Sequence, residues 1–210
     1  THLRLFSCLT YKRLKRALIH MASLLPYCLF IFSLFSTSFH SINGVFIEQY
    51  LSEAIPMKRT EKMSHLHFYF HDILSGKNPT AVKIINEPPN SKSSSGLFGR
   101  TYIMDDALTE GQEPTSKVVG RAQGFYSIAA QNDVALLMVL NFVFTEGKYN
   151  GSSLSILGRN PVLNDVREMP IVGGSGLFRF ARGYALAHTV WFEAKSGDAI
   201  VEYNVFVLHY

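Results

Sequence analysis

The chain has 210 residues, 47% of them hydrophobic, with 20 Lys and Arg against 16 Asp and Glu and a formal charge of +4. That positive excess is confined to the start: five basic residues and no acidic one precede Gly44, leaving 15 basic against 16 acidic groups afterwards. No basic patch interleaved with aromatics remains to bind nucleic acid, and both cysteines, Cys8 and Cys28, also lie in the leading stretch, which excludes a cysteine nucleophile or thiolate metal site from the rest.

In chain order, the basic run Lys12, Arg13, Lys15 and Arg16 comes before Met21, residues 24–35 are almost wholly apolar, and small residues follow at Ser36, Ser38 and Ser41. A positive region, a short apolar core and small residues near its end describe a secretory signal, and the core is shorter than the roughly 20 residues that span a bilayer. Residues 21–44 are therefore read as a signal peptide and 1–20 as translated upstream sequence. The product is expected to be secreted and free of the membrane once the signal is removed. Residues 45–64 lack sustained periodicity and read as a flexible arm ahead of one domain over 65–210.

Within that domain, residues 66–70, Leu-His-Phe-Tyr-Phe, read as a strand ended by Asp72 and a Ser-Gly-Lys-Asn-Pro turn. Residues 81–85 form the next strand, 87–99 a loop, and 101–104 a short strand leading into an acidic turn. In that turn Asp105, Asp106, Glu110 and Glu113 read as solvated. Residues 117–130 and 134–145 are long runs joined at Gln131-Asn132-Asp133. The second is continuous enough to be a buried helix, but its β-branched and aromatic content and its flanking turns favour a strand. Asn150-Gly151-Ser152 is both a turn signal and an acceptor for N-glycosylation at Asn150. Residues 154–157 make a further strand.

Residues 160–184 read as the organising stretch: a loop between Pro161 and Pro170, a tight turn at Gly173-Gly174-Ser175-Gly176, then a strand with Phe178, Phe180 and Arg182 on one face. Residues 184–193 and 199–208 complete a hairpin. Eight or nine strands at regular spacing, without a convincing helix, predict an all-β sandwich or barrel.

His65, His67 and His71 beside Asp72 raise the question of a metal, but further ligands with a supporting pattern are lacking, and none is assigned. Asp72 follows apolar and aromatic positions; it reads either as an acid at a barrel mouth, its pKa raised by its surroundings, or as a plain turn starter. Tyr126 either points its phenol inward as a donor or is an amphipathic core residue, and Arg167 is a site cation or half of a surface ion pair.

Five segments in order go further: 66–73 (Leu-His-Phe-Tyr-Phe-His-Asp-Ile), 76–82 (Gly-Lys-Asn-Pro-Thr-Ala-Val), 119–126 (Val-Gly-Arg-Ala-Gln-Gly-Phe-Tyr), 154–161 (Leu-Ser-Ile-Leu-Gly-Arg-Asn-Pro) and 166–183, with its Arg-Glu-Met-Pro, Gly-Gly-Ser-Gly and Phe-Ala-Arg-Gly. Together they resemble the plant dirigent family over nearly all of residues 62–210. The resemblance implies an eight-stranded antiparallel β-barrel of the allene oxide cyclase type, an apoplastic glycoprotein, a trimeric or dimeric homo-oligomer, and a pocket for phenolic, phenylpropanoid-type small molecules. It also implies no cofactor of the barrel's own, because a separate oxidase (laccase or peroxidase) makes the radicals whose coupling the barrel steers in lignan biosynthesis.

Residues implicated in the family match Asp72, Tyr126 and Arg167 as the catalytic set, with Asn160, Arg182, Phe178 and Tyr184 as substrate-binding candidates. The departure is Asn160, where lignan-forming members usually carry an aspartate. That departure, with 117–120, 144–152 and Arg167-Glu-Met-Pro, resembles the branch that includes legume pterocarpan synthases, which close an isoflavanol with loss of water. The first functional reading is thus a guide of stereoselective phenoxy radical coupling. A dehydrating cyclase acting on isoflavan-4-ols through a quinone methide is the alternative, and a non-catalytic wall or defence module for phenolics the third.

Overall fold

The computed structural model describes residues 60–90 and 92–210, together with Lys15, Ser23 and Pro26. The chain divides into two units, Thr1–Pro56 and Met57–Tyr210, and the second holds the whole of the described β structure. Apart from those three residues, the upstream stretch, the signal peptide and most of the arm lie outside the described residues. Among the described residues no helix is long and apolar enough to cross a membrane.

Among the described residues nine strands follow one another: β1 (Lys62–Asp72), β2 (Ala81–Ile85), β3 (Thr101–Thr109), β4 (Val118–Ile128), β5 (Ala135–Phe144), β6 (Ser153–Pro161), β7 (Val166–Ser175), β8 (Arg182–Phe192) and β9 (Ala199–His209). From β3 to β9 each strand pairs antiparallel with the next, and β9 pairs with β1 from Lys62↔His209 to Asp72↔Ala199. β1 then closes on β3 through Tyr69↔Thr109, Phe70↔Leu108 and His71↔Ala107. The result is a closed eight-stranded antiparallel β-barrel, which removes the edges an open sheet would leave. β2 is the extra strand. It takes up the flank of β3 where β1 leaves it, through Ala81↔Met104 and Val82↔Ile103, and the loop between them is pinched shut by Thr80 N–H and Ala81 N–H on the Ile73 carbonyl (2.7 and 3.0 Å).

Period-2 alternation fills the interior with Phe68, Phe142, Leu154, Ile156, Tyr203 and Val205, all at most 2% exposed. Full burial of a side chain of this size contributes roughly 1.5–3 kcal/mol. Room for the large rings comes from Ala122, Ala185 and Ala187, each completely buried. At Gly124 the strands approach so closely that an added Cβ would strike the Val139 carbonyl and lie 2.6 Å from Leu140 Cα. One barrel end is plugged: Phe178 stacks on Tyr149 (4.6 Å) and meets His209 edge-on (5.1 Å), and Ser64 Oγ bonds both Tyr149 OH and His209 Nε2 at 2.8 Å.

Several expectations are corrected. β1 takes in Lys62, Met63 and Ser64, assigned to the arm, because each pairs with β9. The strand expected over 134–145 is β5, Ala135–Phe144. β3 runs on through Asp105 and Asp106 to Thr109, so these acids are not in a solvated turn. Asp105 points outward to Arg121 Nε (2.8 Å), whereas Asp106 faces inward and is fully buried. The stretch 160–184 contains a whole strand, β7, where a loop is predicted. Pro170 is accommodated because the β6 ladder begins only at Ile171, and Gly158 leaves space for its ring. The tight turn comes later, as a 3-10 turn at Gly176–Phe178 entered with Gly176 at φ +61°. Consequently Phe178 and Phe180 lie outside any strand. Phe178 is buried, and Phe180, at φ +64°, is exposed.

Candidate functional site

The unplugged end of the barrel, where β1, β4, β6 and β8 finish and β3, β5, β7 and β9 start, encloses a cavity of about 680 Å³. That is within the range of small-molecule pockets. Its wall is mainly apolar and brings together Asp72, Tyr126, Asn160 and Arg167 with Tyr102 and Tyr203.

Asp72 is the last residue of β1, half-buried at the inner face. The Tyr126 hydroxyl donates to Asp72 Oδ1 over a long 3.4 Å, and the Tyr126 ring stacks on Tyr102 at 5.1 Å. Burial pushes the Asp72 carboxyl up to about 7, the bond from Tyr126 acting against this and the charge of Asp198 adding to it. Burial and the Asp72 charge raise the Tyr126 phenol too, so it stays protonated as a donor. Near neutral pH the pair offers a carboxyl that carries a proton for a large part of the time.

Across the pocket Arg167, at the start of β7, is 3% exposed. Its Nε donates to Asn160 Oδ1 at 3.2 Å and its Nη1 to the Asp165 carbonyl at 3.4 Å. Among the described residues no carboxylate lies within ion-pair distance of it. Burial lowers its pKa, opposed by Tyr203 and Asp165, yet a guanidinium retains its charge. A cation held by a neutral amide keeps its field available for an anionic ligand group. An aspartate at 160 would consume it.

The other candidates are elsewhere. Phe178 is in the plug at the opposite end. Arg182 begins β8, exposed, with Nη2 2.6 Å from Glu61 Oε1. Tyr184 stacks on Phe206 (5.1 Å) on the outer face of the barrel. Asn150 is exposed at the tip of the β5–β6 connection. His65 and His67 point outward to Asn204 (2.8 Å) and Glu202 (2.7 Å), and buried His71 bonds Thr109 Oγ1 (2.7 Å).

Sequence reasoning missed two groups. Asp106 stands between Met104 and Leu108 on the inner face, and that period-2 relation was the available signal. Asp198 latches the pocket rim: its Oδ1 accepts Leu74 N–H (2.7 Å) and Ser75 N–H (3.0 Å), and its Oδ2 the Ser75 hydroxyl (2.5 Å).

Comparison with known proteins agrees with this geometry. The family profile described as Dirigent-like protein matches residues 63–208. Dirigent protein 21 of Arabidopsis thaliana is 56% identical over 154 residues, covering 73% of this chain and 81% of its own length. Pterocarpan synthase 1 of Glycyrrhiza echinata is 49% identical over 163 residues, covering 77% and 86%. Among solved structures, a pterocarpan synthase dirigent protein superposes with a TM-score of 0.67 at 51% identity, over 72% of this chain and 87% of that one. With the profile spanning the whole barrel and relatives above half identity, the chain belongs to the dirigent family.

Proposed function

We propose that this barrel is a dehydrating cyclase of the pterocarpan synthase kind, acting on an isoflavan-4-ol. The observation that carries the reading is the arrangement of Asp72: a carboxyl held partly protonated by its surroundings, reached by Tyr126 OH, inside an apolar cavity whose wall also carries Arg167, held by the neutral Asn160 amide. Asp72 transfers its proton to the departing hydroxyl, the carbon–oxygen bond breaks, and water leaves as the substrate, whose conjugated phenol proton passes to solvent and returns on ring closure, becomes a quinone methide. Arg167 steadies the phenolate character of that intermediate. A second phenol then adds to the electrophilic carbon on the face left open by the barrel wall, and its proton returns to Asp72. One molecule of water is lost and no electron is gained or lost.

A second reading, the guide of radical coupling in lignan formation that the sequence puts first, is favoured by the 56% identity to an Arabidopsis dirigent protein. In that role the pocket orients radicals made by a separate laccase or peroxidase. Chiral analysis of products from an isoflavan-4-ol and from a monolignol, with and without oxidase, separates the two, and binding with no effect in any arm identifies a non-catalytic module.

The wider setting is proposed with it. Secretion to the apoplast is argued from the signal-like residues 21–44, and glycosylation from the exposed Asn150. A homo-oligomer is supported by a cross-strand row on the outer face, Val82–Ile103–Phe125–Val139–Leu157, four of whose members are 38–51% exposed. A continuous apolar row over five strands is what a second copy of the same surface covers.

A further inference from the structure

Asp106 is 0% exposed, and neither of its carboxylate oxygens has a hydrogen-bond partner. A buried acid left so cannot be treated as a structural carboxylate, which would be bonded or paired. The β1–β3 ladder runs Tyr69↔Thr109, Phe70↔Leu108, His71↔Ala107, and the next step of the same antiparallel register sets Asp72 opposite Asp106. Directly opposed residues have Cβ atoms about 5 Å apart on one face of the sheet. On its other side Asp106 faces Ala122, a buried methyl that supplies no donor.

The remaining charged and titratable neighbours do not neutralise it. Arg121 of β4 is half-buried and held on Asp105 through Nε and by a short bond to the Asp105 carbonyl, and its charge lowers Asp106 less than burial and Asp72 raise it. The Thr80 hydroxyl, ahead of β2, lies near enough to favour the anion slightly, but its own bond goes to the His71 carbonyl (3.4 Å). His71 is turned away to Thr109, Asp105 and Asp198 are acidic, and Tyr126 and Tyr203 are neutral phenols. Burial, followed by the charge of Asp72, pushes Asp106 up to about 8.

We infer that Asp72 and Asp106 share protons as a coupled pair, with Asp106 a positioning residue that holds a reserve proton for Asp72. The pocket then keeps an acid at pH values where a lone Asp72 has already ionised. In the proposed reaction Asp72 protonates the leaving hydroxyl, the proton on Asp106 passes to the Asp72 carboxylate, and the proton freed by the cyclising phenol restores the pair. The chemical role rests on the cyclase reading; the coupling itself does not.

The test is a carboxyl carbon-13 NMR titration of the Asp-labelled full chain from pH 4 to 10, without substrate, in the natural protein, Asp72→Asn and Asp106→Asn. Two coupled steps above the ordinary carboxylate range are expected, with the Asp106 step falling by about one pH unit or more when Asp72 is neutralised. An Asp106 step in Asp72→Asn at the natural protein's pH, or either acid ionising near pH 4 in the natural protein, overturns the inference. If Asp106→Asn does not fold, Asp72→Asn alone decides. With an isoflavan-4-ol as substrate, the alkaline limb of the rate profile moves down by about one pH unit in Asp106→Asn; a uniform drop with the limb unmoved marks a merely structural role and overturns the reserve. Absence of any turnover by the natural protein refutes the cyclase and the reserve's chemical role, while the titration still decides the coupling.

Discussion

Asp72 and Tyr126 have separable jobs, since one carries the transferable proton and the other only tunes it. Replacing Asp72 by Asn removes the acid, and general acid catalysis is worth roughly 10²- to 10⁴-fold, so turnover of an isoflavan-4-ol is expected to fall by at least about a hundredfold. Tyr126→Phe removes a long bond that favours the carboxylate, which leaves Asp72 more often protonated and costs far less in rate, with an alkaline limb at higher pH. Steady-state rates against pH check both; unchanged turnover in the pair of variants contradicts the roles assigned. Asn160 and Arg167 lie in a stretch read as a loop and enter the candidate set through the family resemblance, whereas Asp72 and Tyr126 are legible in the sequence from the strands that carry them. Phe178, Arg182 and Tyr184 are not, because alternation gives a face without saying which barrel end the face reaches. A 3-10 turn also resets the phase between Phe178 and Arg182. Asp106 is missed because two adjacent acids before a Glu-rich turn look solvated.

At the scale of elements, the pocket rim depends on a latch between the β1–β2 loop and the β8–β9 turn. Burial pushes the Asp198 carboxyl up, but the bonds from Ser75, Leu74 and Ser196 outweigh it and hold it below the usual carboxylate value. A depressed pKa means stabilisation that is present above the unfolded value and lost as pH falls through the folded one, so the latch is intact at neutral pH and opens in acid. Asp198→Ala strands two backbone N–H groups and is expected to cost roughly 1–3 kcal/mol. It should raise KM more than it lowers kcat, because Leu74, Ser196 and Gly197 line the cavity. Thermal melts and the KM–kcat split check this; a loss confined to kcat contradicts a rim role. Strands β2, β4, β5, β8 and β9 are readable from alternation and turn residues. β7 is hidden by its prolines and glycines, since Pro170 and Gly174 are admitted by a ladder that starts late and by a backbone too close for a Cβ at 174.

For the whole molecule, closure itself is the feature that local pattern cannot supply. Alternation leaves sandwich and barrel open, and the deciding pairing joins β1 to β3 across an intervening strand; the resemblance to a known family is what anticipates eight strands. The outer apolar row belongs to this scale as well. Phe125→Glu places a charge in its middle and is expected to reduce the sedimentation coefficient without lowering the melting temperature; an unchanged sedimentation coefficient, or a monomer in the natural protein, contradicts the homo-oligomer proposed through this row. The most direct measurement is the incubation of the purified protein with an isoflavan-4-ol and no oxidase. Loss of water to give one enantiomer of the closed ring is the expected result. Recovery of unchanged substrate, with stereoselectivity emerging only when an oxidase and a monolignol are supplied, contradicts the cyclase and leaves the barrel as a guide for radicals made elsewhere.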